Sequence, residues 1–239
     1  MIVKNLINSK TTKIILLTLV ILTGIFLRFY NYNLQDFWWD ELMEFSTSNP
    51  YLSLNETYKL AHSLTINTHL EYDFATNANF YFYIYKFFLG IFSYTPGSAR
   101  LIVAFWGTLV FLLSIYVYYK YIGKNLLVFS IIIVSNYYLI IQSQEFKYNI
   151  FFCLISLISI LFFFQFIKSK NSKNKNIIKI FYFLSIFLTI WTHIFGFIIF
   201  FSQIFCLLIK KRNILIENFF YYSSLPFLYF IVNFKQLLN

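Results

Sequence analysis

The sequence predicts an all-α polytopic membrane protein with about seven transmembrane helices and one amphipathic juxtamembrane helix in its first outer loop. The first observation is composition: 59% of the 239 residues are hydrophobic and only 12% are charged, whereas a soluble domain carries about 25% charged residues. The second is that apolar runs of helical length recur along the chain. The third is that basic residues cluster between these runs, as in membrane proteins. The bilayer therefore acts as solvent for much of the chain.

The first apolar run, 14–27, follows Lys4, Lys10 and Lys13 and is similar to a signal peptide. Residues Phe26 to Phe29, at the end of this run, include no small-residue cleavage site. We therefore expect an uncleaved first transmembrane helix.

Eight apolar runs are long enough to form helices in a membrane. Seven are predicted to cross it, at about 14–30, 99–119, 125–141, 148–167, 177–192, 194–209 and 214–232. The eighth, 79–95, is rich in Tyr and carries Lys86. Tyr prefers the headgroup level, so we expect this segment to lie in the outer interface, with a true span as the alternative. The run 177–209 is interrupted at His193 and Gly196, which predicts two short helices that meet there.

The basic clusters decide the topology. They are Lys4/Lys10/Lys13, Lys120/Lys124, Lys168/Lys170/Lys173/Lys175 and Lys210/Lys211/Arg212. All four fall on the cytoplasmic side, as the positive-inside rule requires, only if 79–95 does not cross. This places the N-terminus inside and the loop 31–98 outside, in a multi-pass cell (inner) membrane. The net charge of +10 is then a topology signal, and no nucleic-acid partner is predicted.

With this topology, unusual polar residues gather at the outer face. They are Asp36, Asp40, Glu41, His69, Glu71, Asp73, Arg100, Gln142, Gln144, Glu145, Lys147 and His193. Ionisable groups near a membrane are costly, and several that converge from separate segments predict a site.

Each of these residues also has a structural interpretation. Asp40 and Glu41 suit the first turn of a helix, with Trp38 and Trp39 as interfacial anchors. Arg100 and Lys147 can extend to lipid headgroups, and Glu145 can simply pair with Lys147. His193 can be a hydrogen-bonded packing residue, and His69, Glu71 and Asp73 can be ordinary loop residues. Cys153 and Cys206 lie in apolar runs, which favours core residues over a disulfide or a metal pair.

Four stretches in order resemble the GT-C membrane glycosyltransferases, specifically the dolichyl-phosphate-mannose–protein mannosyltransferase superfamily and its bacterial relatives. They are RFYNYNLQDFWWDEL, the segment from NFYFYIYKFF to the helix that Arg100 opens, IIQSQEFKYNIFF, and LTIWTHIFGF. The resemblance implies transfer of a sugar from a polyprenyl-phosphate donor to a protein, lipid or glycan acceptor, with inversion, at an extracytoplasmic active site.

The resemblance also implies roles for particular residues. Asp40, with Glu41 next, would be the catalytic base, and Arg100 with Lys147 would bind the donor phosphate. Glu145, Gln144, His193 and Tyr148 would support the substrate site. A divalent metal, Mg or Mn, is compatible with Asp40, Glu71 and Asp73 as ligands, and no other cofactor is predicted.

Some features depart from the family pattern. Lys147 stands where the family has Arg, so an ammonium group replaces a planar guanidinium that can bind two phosphate oxygens at once. The family's Pro-Pro is replaced by Ala78-Asn79. Relatives are about twice as long, so 1–239 is expected to be a single transmembrane domain corresponding to their N-terminal part, with a partner chain as a source of further helices. The alternative function is a non-catalytic membrane subunit or a lipid or glycan transporter component.

Overall fold

The structure is a computed structural model that describes residues 10–34, 36–67, 80–123, 125–169, 174–226 and 228. Regular secondary structure in these residues is entirely helical. In chain order the helices are α1 (Lys10–Phe29), α2 (Trp39–Thr47), α3 (Leu54–Asn67), α4 (Phe80–Phe92), α5 (Pro96–Val117), α6 (Leu126–Val134), α7 (Tyr137–Gln142), α8 (Tyr148–Lys168), α9 (Lys175–Thr192), α10 (Gly196–Lys210) and α11 (Arg212–Glu217). A π-helical turn, Tyr118–Ile122, extends α5.

Four of the described helices are long and apolar enough to cross a membrane. They are α1, α5 with its extension, α8 and α9. The predicted all-α, membrane-embedded fold is therefore confirmed, whereas the count of seven spans is not. Helices α4 and α10 have 13 and 15 residues, shorter than a typical span of about 20.

The predicted span at 125–141 is divided into two short helices. Helix α6 ends at Val134, and the side chain of Asn136 then accepts a hydrogen bond from the backbone N–H of Leu139, 3.1 Å away. An Asn N-cap stabilises a new helix start because it satisfies an N–H that lacks a partner within the helix. The polar pair Ser135–Asn136 was the signal of this break in the otherwise largely apolar run.

The chain forms two compact units. The first comprises the described residues of Met1–Pro50 and Phe87–Leu154. In it α1 packs against α5, α6 and α7. Gly24 lies at the closest approach, since a Cβ atom there would be 2.4 Å from the Phe111 ring. A Cβ atom at Gly107 would be 2.1 Å from the Ser143 hydroxyl, so α5 and α7 also meet at a glycine.

Arg28 is completely buried near the end of α1 in the first unit. Its Nε donates to the carbonyl oxygen of Gly107 at 3.0 Å, and its Nη1 donates to that of Gly24 at 2.6 Å. The guanidinium lies over the Phe111 ring, 4.5 Å from its centre. Its charge is thus held by carbonyl dipoles and a π face, and the described residues give it no carboxylate partner.

The second unit comprises the described residues of Tyr51–Lys86 and Ile155–Asn239. Its core packs α9 against α10 and contains Phe163, Phe166, Tyr182, Phe183, Ile186, Ile190, Phe200, Leu207, Ile214, Tyr222 and Leu225. Two consecutive side-chain hydrogen bonds cross this core: the Tyr182 hydroxyl donates to Gln203 at 2.9 Å, and Gln203 donates to Ser159 at 3.2 Å. Buried polar groups are tolerated when they are paired in this way.

The predicted interruption of the run 177–209 is confirmed. Helix α9 ends at Thr192 and α10 begins at Gly196. A Cβ atom at Gly196 would lie 2.5 Å from the carbonyl oxygen of Thr189, so this tight turn requires glycine. Cys153 and Cys206 are both free cysteines.

Candidate functional site

The acidic stretch after α1 folds into the short helix α2, whose first turn contains Asp40 and Glu41. The Glu41 carboxylate reaches back to accept the backbone N–H of Trp38 at 3.0 Å, which satisfies a donor at the helix start. Asp40 accepts the N–H of Glu41, also at 3.0 Å. Both acids also suit the positive end of the helix dipole. Trp38 and Trp39 are largely exposed.

Glu41 is completely buried and connects three separate parts of the first unit. Its Oε2 lies 3.0 Å from Nη2 of Arg100, and its Oε1 accepts the backbone N–H of Phe146 at 2.6 Å. Arg100 also donates to the carbonyl oxygen of Asp36 at 2.9 Å and lies over the Phe37 ring. Both carboxylate oxygens of Glu41 are therefore engaged, which gives this residue a positioning role.

A second, more accessible ion-pair group joins Asp40 of the same helix to the turn between α7 and α8. Nζ of Lys147 is 2.8 Å from Oδ2 of Asp40 and 3.3 Å from Oε2 of Glu145. The Asp40 side chain is 58% exposed and that of Lys147 is 21% exposed. Burial opposes the charge of Lys147, but the two carboxylates raise its pKa overall and keep it cationic. The structural interpretation of Glu145 as a partner of Lys147 is confirmed.

Glu44 belongs to this group and was missed in the sequence. It lies one helical turn after Asp40, and its carboxyl accepts the backbone N–H of Tyr148. Its Oε2 is buried and has no partner among the described residues. Burial, and then the charge of Asp40, raise the pKa of Glu44 well above its usual range. The spacing of four residues between the two acids was the available signal.

Glu44 is expected to make the stability of the protein depend on pH. Because its folded-state pKa is raised, the protonated form is stabilising, and this contribution is lost as pH rises through the folded-state pKa. Glu44→Gln imitates the protonated carboxyl. As pH rises from about 4.5, the ordinary pKa of a Glu carboxyl, melting temperatures of the detergent-solubilised wild type should fall more steeply than those of Glu44→Gln. Parallel curves over the whole pH range would contradict a raised pKa at Glu44.

The other predicted site residues have different surroundings. Gln144 donates to the carbonyl oxygens of Leu27 and Tyr30, at 2.9 and 3.0 Å, so it closes the end of α1. Tyr148 begins α8 and contributes its backbone N–H to Glu44. His69, Glu71 and Asp73 lie outside the described residues. The part of the chain that the structure describes holds no group of three metal-ligating side chains.

His193 lies in the second unit, at the break between α9 and α10. Its Nδ1 accepts the backbone N–H of Phe195 at 3.1 Å, and its ring contacts the Phe195 ring. Burial lowers the pKa of His193, which favours the neutral imidazole. These contacts agree with the packing interpretation of this residue.

The fold and the paired charges define a multi-helical membrane protein with a buried Arg100–Glu41 ion pair beside a more accessible Asp40–Lys147 pair. Comparison of the chain with protein-family models, curated proteins and solved structures finds no match.

Proposed function

We propose that the protein is a GT-C type glycosyltransferase that moves a sugar from a polyprenyl-phosphate donor to a hydroxyl acceptor at the outer membrane surface. The observation that carries this proposal is the Asp40 carboxylate, which is exposed and held by Lys147 at 2.8 Å. This pair places a general base and a cation side by side, and displacement of a sugar from a phosphate requires both. A protein, lipid or glycan would be the acceptor.

Asp40 is better suited than Glu41 to be the base. Glu41 is completely buried and has both oxygens engaged, by Arg100 and by backbone N–H groups. Asp40 is accessible and still has lone pairs that can accept a proton. In the proposed step the acceptor oxygen bonds to the anomeric carbon, its proton passes to Asp40, and the bond from that carbon to the phosphate oxygen breaks. One displacement inverts the anomeric centre.

Lys147 is the more accessible of the two predicted phosphate-binding cations. Negative charge develops on the phosphate as the glycosidic bond breaks, and an ammonium group nearby stabilises it. Arg100 is almost completely buried and holds Glu41, which fixes the start of α2 and so the position of Asp40. We therefore assign direct phosphate contact to Lys147 and a positioning role to Arg100.

An apolar cavity in the first unit supports a lipid-linked donor. It has a volume of about 380 Å³, and its lining includes Phe88 and Phe92 of α4 and Leu101, Ile102 and Phe105 of α5. The lining begins one residue after Arg100 on the same helix. An isoprenoid chain is apolar along its whole length, so these side chains suit it.

The function is tested with protein purified from its native membrane together with any bound partner chain. The donor is a polyprenyl phosphate carrying one labelled sugar, and the measurement is release of polyprenyl phosphate together with labelled acceptor. Chelation followed by addition of Mg²⁺ or Mn²⁺ tests the predicted metal ligands Asp40, Glu71 and Asp73. No release with any donor sugar would contradict the proposal.

The proposal includes the seven-span topology, with 79–95 in the outer interface. In a variant without Cys153 and Cys206, Trp39→Cys is expected to react with a membrane-impermeant thiol reagent added outside cells. Ile122→Cys should react only after permeabilisation. Both positions are exposed in the structure, so access to the reagent depends on the side of the membrane. External labelling at position 122 would overturn the topology.

A non-catalytic membrane subunit is the second candidate function. It is favoured by the pairing of both cations, since Arg100 holds Glu41, and Lys147 holds Asp40 and Glu145. Ion-pair networks of this kind also occur for structural reasons. Under this alternative Asp40→Asn would weaken association with a partner chain without changing any transfer reaction.

A further inference from the structure

The junction between α10 and α11, in the second unit, places three cations in sequence. Lys210 ends α10, Lys211 interrupts the helix, and Arg212 begins α11. The flanking residues Leu207 and Ile214 are buried in the core of the unit. The backbone N–H of Lys211 still donates to Leu207 at 2.8 Å, and that of Ile214 donates to Lys211 at 2.9 Å. The junction is therefore anchored on both sides.

A cavity of about 290 Å³ lies at this junction. It is lined by Ile167, Lys210, Lys211, Arg212, Asn213 and Ile214. Two lining side chains are apolar, three are cationic and one is an amide. This combination suits an anionic group attached to an apolar molecule, because the cations meet the charge and the isoleucines meet the attached chain.

Among the described residues the three cations have no acidic partner. Within the described part of the chain, ion pairs form only at Glu41, Asp40 and Glu145, all in the first unit. Three like charges within one short junction repel one another unless an anion lies among them. A bound anion would therefore stabilise the junction, whereas general attraction to a membrane surface would not require a cavity.

We propose that this cavity is a binding site for a phosphate group, carried by the headgroup of an anionic phospholipid. Arg212 offers a planar fork that can hold two phosphate oxygens, and Lys210 and Lys211 add point charges. Asn213 supplies a further donor. The site is in the second unit and is independent of the proposed sugar transfer.

The test uses protein in nanodiscs that contain phosphatidylglycerol and phosphatidylcholine in equal amounts, with retained lipids counted by native mass spectrometry. Wild type is expected to retain phosphatidylglycerol in preference. Each cation removed should lower this preference about fivefold, given the usual strength of a Lys or Arg near anionic lipid. The triple variant Lys210→Gln/Lys211→Gln/Arg212→Gln should thus lose about a hundredfold, or all measurable preference.

The matched control removes three exposed lysines from three separate segments, as Lys13→Gln/Lys59→Gln/Lys120→Gln. It changes the net charge equally and should keep the preference, so an equal loss would overturn the site. Arg212→Lys keeps the charge and the fold but removes the planar guanidinium, and it should weaken retention of phosphatidylglycerol measurably. Unchanged retention in Arg212→Lys and the triple variant would also overturn it. Competition by inorganic phosphate would assign the site to free phosphate, contradicting the headgroup.

Discussion

Replacing Asp40 by Asn is expected to lower sugar transfer by about 10²–10⁴-fold, which is the usual contribution of a general base. The amide cannot accept the proton of the acceptor hydroxyl, but its oxygen can still accept the N–H of Glu41. Because Asp40 is 58% exposed, the fold should persist. The loss should appear in kcat, with donor KM changed much less. Steady-state kinetics with the labelled polyprenyl-phosphate donor measure both constants.

Glu145→Gln is the matched control for Asp40→Asn. Glu145 also contacts Lys147, at 3.3 Å, so this variant likewise removes one negative charge from the same ammonium group. It is expected to reduce kcat by less than about tenfold, since an ion pair that is accessible to solvent contributes little. Equal losses in the two variants would show that the charge around Lys147 matters and that Asp40 is not the base.

Replacing Arg100 by Met is expected to lower the free energy of unfolding by about 3–5 kcal/mol. The change leaves the completely buried Glu41 carboxylate without its cation, and an unpaired buried charge is strongly destabilising. The carbonyl oxygen of Asp36 also loses its donor. Denaturant titration of the detergent-solubilised protein, followed by tryptophan fluorescence, measures the loss.

A second change distinguishes the lost ion pair from lost packing. Arg100→Met combined with Glu41→Gln removes both charges and keeps one acceptor oxygen, which can serve the N–H of either Trp38 or Phe146 but not both. The double variant should therefore recover part of the stability. Lys147→Met, at the more accessible pair, should cost no more than about 1 kcal/mol. A double variant as unstable as Arg100→Met would show that packing of the guanidinium dominates.

The sequence predicted the helical breaks unevenly. The break at Gly196 was visible because glycine and a polar His193 interrupt an apolar run, and the structure shows that no Cβ atom fits at Gly196. The break at Asn136 was missed because its cause is one side-chain hydrogen bond to Leu139. An apolar run predicts the two ends of a helical segment more reliably than it predicts whether the segment is one unbroken helix.

The sequence predicted which charged residues would lie near one another better than it predicted the role of each residue. Arg100 and Lys147 do lie beside the acids of α2, as the pattern of polar residues at segment ends indicated. Adjacent residues on a helix point about 100° apart, so Asp40 and Glu41 enter different surroundings although the sequence presents them as equivalent. Which of them is buried depends on Phe146, 105 residues later in the chain.

The buried Arg28 has a consequence for biogenesis. A charged residue in a membrane segment disfavours insertion by about 2.5–3.5 kcal/mol at the centre of the helix, and by less near an end. Within α1 itself the guanidinium contacts only the carbonyl of Gly24, while the carbonyl of Gly107 and the ring of Phe111 both belong to α5. Because α5 follows α1 in the chain, Arg28 is expected to lack these two partners until α5 has been synthesised. Burial of its charge is then expected to require association of α1 with α5.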